Sequence, residues 1–138
     1  MTSLIVLDTN VIVSAAIHAG GAPGRIVERA LAQDAIVATC PSIVAEYRAV
    51  LARPKFARLG LPPVWLDALL LLAHHRVRDP APWSRIGPDP ADLVFLSLAK
   101  ATGAILVTGN VAHFPRAIRG GVEVVDPSSY LAVHSLEP

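Results

Sequence analysis

The chain has 138 residues, a net charge of +1 and a single cysteine, which matches one ordinary domain able to bury roughly two thirds of its unfolded surface without staples. Cys40 by itself excludes an internal disulfide and a zinc site built on several cysteines, and agrees with a reducing compartment. The near-neutral balance neither demands nor forbids a nucleic-acid partner; ten of the twelve basic residues are arginines, whose planar fork suits phosphate.

Met1-Thr2-Ser3 runs directly into apolar residues without a basic leader or a small-residue cleavage site, so the expected location is the cytoplasm. The longest apolar stretches, such as Val64 to Ala73, are interrupted by Asp67 and fall short of the roughly 20 residues that a membrane span needs. Neither a repeat nor a low-complexity segment occurs, and a single domain over residues 1–138 is expected.

Leu4-Ile5-Val6-Leu7 is a short apolar run of the kind found in strands covered on both faces, and Ile36-Val37 and Ala104-Ile105-Leu106-Val107 read the same way. A helix from Val11 follows the first run. Gly20-Gly21-Ala22-Pro23-Gly24 is too irregular for a phosphate loop and reads as a flexible connection. Helical patterns cover Pro23–Gln33, Pro41–Arg53, Pro62–His75 and Pro90–Thr102, each with proline at or near its first position. Gly103 is placed to stop the last of these. A short strand at Arg76–Arg78 and a proline-rich loop to Pro88 come before that helix; a strand at Val122–Val125 and a helix from Pro127 come after it. Strands alternating with helices imply an α/β fold with a parallel sheet and helices on both faces.

Ligands on such sheets collect beyond the carboxyl ends of the strands. Asp8-Thr9-Asn10 follows the first strand, and three successive cap-capable residues exceed what one helix start requires. Thr39-Cys40-Pro41 leads into a helix where Glu46 shares helical spacing with Ile43 and Val50, so its carboxylate should face inward. A buried acid must pair, bind metal or bear a desolvation cost of several kcal/mol, and an ion pair with Arg48, Arg53 or a distant arginine is the competing account. Asp89 suits a helix cap, with Pro90 at the first position and Asp92 as the acidic half of a capping box. Asp92 also heads the stripe Phe95, Leu96, Ala99, at the edge of a buried face. Asp34, Asp79 and Asp126 have the settings of turn or cap residues, and Asp67 lacks a strand-end context.

Thr108-Gly109-Asn110 follows the strand ending at Val107. His113, in Asn110-Val-Ala-His-Phe-Pro, can meet substrate, although a histidine in such a loop is more often simply solvated. No His-x-x-x-His spacing marks zinc, and neither a Gly-x-Ser-x-Gly elbow nor a Walker lysine is present.

An N-terminal strand ending in Asp8-Thr9-Asn10, a mid-chain Glu46, then Asp89-Pro90-Ala91-Asp92 before a helix and a strand ending in Thr108-Gly109-Asn110 resembles the PIN-domain family over nearly the whole chain. The Thr-Gly-Asn variant followed by His-Phe-Pro resembles its VapC-like branch, the toxin component of bacterial toxin-antitoxin systems. The resemblance implies a three-layer fold with sheet order 3-2-1-4-5, and Mg2+- or Mn2+-dependent hydrolysis of single-stranded RNA that leaves 5'-phosphate and 3'-hydroxyl ends. By the same resemblance Asp8, Glu46 and Asp92 are the catalytic, metal-binding acids, with Asn10, Thr108 and Asn110 in support. A homodimer and a small antitoxin protein are the implied partners, besides RNA. Asn110 stands where many relatives carry a fourth acid, so a second bound metal does not follow. A catalytically inactive RNA- or protein-binding module of the same fold is the alternative. A phosphatase of the haloacid dehalogenase type would need a second Asp at the position of Asn10, and a receiver domain would need an N-terminal acid pair and a phosphoacceptor Asp that are missing.

Overall fold

The computed structural model describes residues 2–73, 75–85 and 87–134, with backbone alone at residue 75. Strand β1 (Ser3–Leu7) is the apolar run expected, with Ile5, Val6 and Leu7 fully buried. Helix α1 (Thr9–Ile17) starts two residues earlier than Val11, and α2 (Ala22–Leu31) follows. The stretch from Gly20 to Gly24 is therefore a connection only in part, because Ala22 to Gly24 form the first turn of α2. Gly24 is buried there against Ala19, whose carbonyl oxygen lies 2.0 Å from where a Cβ would stand.

Strand β2 (Ala35–Thr39) leads into α3 (Pro41–Leu51), whose proline sits in the first turn as expected. Helix α4 (Trp65–Leu71) is shorter than the periodicity of Pro62–His75 predicts: Pro62 and Pro63 lie outside it, and residue 75 already belongs to β3 (His75–Arg76). Strand β3 thus ends before Arg78, and the loop onward to Pro88 includes residue 86, outside the described residues. A single 3-10 turn at Pro90–Asp92 precedes α5 (Leu93–Thr102). Gly103 ends that helix at φ 74°, in the left-handed region that favours glycine. Strand β4 (Ile105–Val107), β5 (Val124–Val125) and α6 (Pro127–Val133) complete the chain.

The sheet has the order β3-β2-β1-β4-β5, and every pairing is parallel. Helix α5 packs on β1, β2 and β4, whereas α2 packs against β2, α1 and α6. Buried side chains of β1, β2 and β4 join Phe95, Leu96, Ile43, Tyr47 and Tyr130 in one core. Central strands covered in this way need apolar side chains at successive positions, which is why β1 and β4 show no alternation. Among the described residues no helix is long and apolar enough to cross a membrane.

Candidate metal centre

The β1–β4 register pairs Ile5 with Ile105 and Leu7 with Val107, so the residues that follow, Asp8 and Thr108, emerge side by side at the carboxyl edge. The Asp8 backbone N–H donates to Val107 at 3.0 Å, and Thr108 N–H donates to Val125 at 2.9 Å. Both side chains are buried. Asp8 occupies the N-cap position of α1 yet makes no side-chain cap bond. Its Oδ2 accepts instead from the Thr108 hydroxyl at 2.8 Å and, at 3.5 Å, from the Asn10 amide. Asn10 also reaches Thr108 Oγ1 at 3.5 Å and accepts from Gly109 N–H at 2.9 Å. A side chain at Gly109 would crowd that amide, since its Cβ would stand 3.3 Å from Asn10 Oδ1.

Glu46 comes to the same edge from α3. The buried stripe of that helix is Ile43, Tyr47, Leu51, not Ile43, Glu46, Val50, so Glu46 lies beside the core at intermediate exposure. Its carboxylate accepts a hydrogen bond from the Thr9 hydroxyl. Arg48, a candidate ion-pair partner for Glu46, pairs with Asp67 at 3.0 Å across an exposed surface.

Asp92 ends the 3-10 turn before α5. Asp89 caps that turn by accepting from Ala91 N–H at 3.0 Å, as its position predicts. Asp92 makes no capping bond of its own; its Oδ2 lies 3.0 Å from His113 Nδ1. His113 Nε2 is in turn 2.9 Å from the Asn110 amide nitrogen, and Asn110 N–H donates to Thr108 Oγ1 at 3.0 Å. Ligand-capable atoms of Asp89, Asp92 and His113 lie within 4.8 Å of one another. The sequence marks His113 as a loop histidine able to meet substrate, and nothing in it signals the bond to Asp92. Thr9 stands out in the sequence as one of three cap-capable residues after β1, whereas Tyr47 gives no sign beyond adjacency to Glu46.

The electrostatics join the parts. The Asp8 carboxyl is pushed up to about 6, chiefly by burial and further by the negative charges of Asp92 and Glu46, against the lowering bond from Thr108. Burial raises Asp92 too; the His113 hydrogen bond lowers it and Asp89 adds repulsion. Among the described residues neither lysine nor arginine forms an ion pair with Asp8, Glu46 or Asp92. Asp8 and Glu46 lie outside the group of Asp89, Asp92 and His113, and Asp8 is coupled through charge to both Asp92 and Glu46; hard carboxylate oxygens that repel one another suit a divalent cation such as Mg2+.

A family model described as PIN domain matches residues 4–112. An uncharacterised protein of Methanocaldococcus jannaschii is 27% identical over 134 residues, covering 96% of this chain and 81% of that protein. The crystal structure of VapBC2 from Rickettsia felis bound to a DNA fragment from their promoter superposes with a TM-score of 0.58 at 19% identity, over 89% of this chain and 98% of that one. The crystal structure of PAE2754 from Pyrobaculum aerophilum gives 0.60 at 17% identity, over 98% and 91%. At these identities the structural likeness is one of fold.

Proposed function

This chain belongs to the PIN-domain family, and from that membership and its cluster of acids we propose that it is a Mg2+- or Mn2+-dependent endoribonuclease. Its substrate is single-stranded RNA. The observation that carries this reading is Asp8: a buried carboxyl at a parallel-sheet edge, raised to about 6 with Asp92 and Glu46 contributing, and without a basic partner among the described residues. A site of that kind gains stability by taking up a cation.

Asp8, Glu46 and Asp92 would hold the ion, and this oxygen-only donor set fits magnesium or manganese better than zinc. When bound, such an ion supplies positive charge to phosphate oxygens and lowers the pKa of water, the two things phosphodiester hydrolysis needs. The protein's own part is placement. Thr108 and Asn10 hold the Asp8 carboxylate, and Thr9 holds that of Glu46. In-line hydrolysis then requires no protein nucleophile.

The chain is also proposed to be the toxin of a toxin-antitoxin pair, acting as a single-domain homodimer in the cytoplasm and restrained by a small antitoxin. The fold shared with a VapBC2 complex supports that reading. The test is cleavage of single-stranded RNA with Mn2+ or Mg2+ added. Asp8→Asn and Asp92→Asn should each abolish it while keeping the native circular dichroism spectrum, and cleavage by either variant at the wild-type rate would remove the site assignment.

A further inference from the structure

We infer that Asn110 and His113 are positioning residues, a two-step relay that orients the Asp92 carboxylate, with Asn110 acting through the imidazole and not as a ligand itself. The inference rests on the metal-site reading of Asp92 and deepens it.

The chemistry of the contacts sets the direction of the relay. The Asn110 amide nitrogen can only donate, so His113 Nε2, 2.9 Å away, must be the accepting, unprotonated nitrogen. The ring proton then resides on Nδ1, 3.0 Å from Asp92 Oδ2, and is donated to the carboxylate. A neutral imidazole whose tautomer is set on one side and used on the other holds a carboxylate without adding a formal charge. Burial is graded along the relay: the Asp92 side chain is 17% exposed and that of His113 42%.

The relay's origin lies in the same loop that holds Asp8. Thr108 Oγ1 donates to Asp8 Oδ2 and accepts from Asn110 N–H, which fixes the Asn110 backbone. The short 3-10 turn Val111–His113 then carries the imidazole to Asp92. One segment of six residues therefore orients two carboxylates from different elements, one ending β1 and the other opening α5. An aspartate at position 110 could only accept, so it would compete with Asp92 for the ring proton or draw a second proton onto the imidazole. Asparagine is thus the residue that the relay requires.

Two measurements test this. In metal-free wild-type protein at alkaline pH, long-range proton–nitrogen correlation spectra should show the His113 proton on Nδ1; a proton on Nε2 would overturn the relay whether or not the protein binds metal. In Asn110→Asp the same spectra should show Nε2 protonated, alone or together with Nδ1. Calorimetric titration with Mn2+ supplies the second arm. His113→Ala should weaken binding about 10- to 100-fold, the usual cost of removing a partner behind a ligand. Asn110→Ala should weaken it less, and the double variant should be no worse than His113→Ala alone. Additive losses would make Asn110 an independent ligand and overturn the inference. Failure of the wild type to bind Mn2+ would remove the metal-site reading, and with it the relay's stated purpose, while the tautomer still decides the relay's geometry.

Discussion

Tyr47, fully buried, donates its hydroxyl to the carbonyl oxygen of Leu7 at 2.5 Å. Leu7 precedes Asp8 and Tyr47 follows Glu46, so a single bond ties together the two backbone positions from which these carboxylates project. Burial pushes the phenol well above its ordinary range, and the charges of Asp8, Glu46 and the Cys40 thiol add to that. The hydroxyl therefore stays protonated and a donor.

Tyr47→Phe keeps the ring and removes only that donor. Stability should fall by about 1–2 kcal/mol, the scale for a lost buried hydrogen bond, as read from denaturant midpoints. Mn2+ affinity should fall with it, because α3 loses its tie to the end of β1. A variant unchanged in both would show that packing alone positions Glu46.

Thr9 is buried and its hydroxyl donates to Glu46. Thr9→Val preserves shape but leaves the carboxylate free to turn, so Mn2+ binding should weaken about 10-fold with the melting temperature little changed. Thr9→Ser should retain most of the affinity. Equal affinity in the valine variant would mean that Glu46 needs no support from Thr9.

The raised Asp8 carboxyl predicts an unusual pH profile for the metal-free protein. The folded group titrates near about 6 and the unfolded one near 3.8. Between those values the folded chain keeps a proton that the unfolded chain has lost, so this group's contribution makes stability fall as pH rises from about 4 to about 6, then level off. The fall is on the order of 3 kcal/mol. Asp8→Asn should flatten the profile and melt higher than wild type at neutral pH in chelator. Melts across this range decide it; a wild type that gains stability from Asp8 ionisation would reverse the sign.

Expression in a bacterial host should slow growth, and co-expression of a small protein encoded beside this one should relieve it. Normal growth at every induction level, with soluble protein confirmed, would remove the toxin reading and leave the nuclease reading standing.

Local sequence determined the elements that place the acids. Unbroken apolar runs at Leu4–Leu7 and Ala104–Val107, short and followed by polar residues, read as strands covered on both faces, which puts Asp8 and Thr108 at strand ends. Asp89 before Pro90 and Gly103 after Thr102 act within one turn of themselves, and both sit in the structure as their chemistry requires. The α3 stripe shows where local reading stops: Ile43–Glu46–Val50 and Ile43–Tyr47–Leu51 are equally helical, and burial against the rest of the core selected the second. The bonds that orient the carboxylates span the chain, Thr108 to Asp8 across 100 residues, Thr9 to Glu46 across 37 and His113 to Asp92 across 21. Such contacts leave no periodic trace. Strand register and helix packing alone bring their partners within reach, and these are properties of the folded chain.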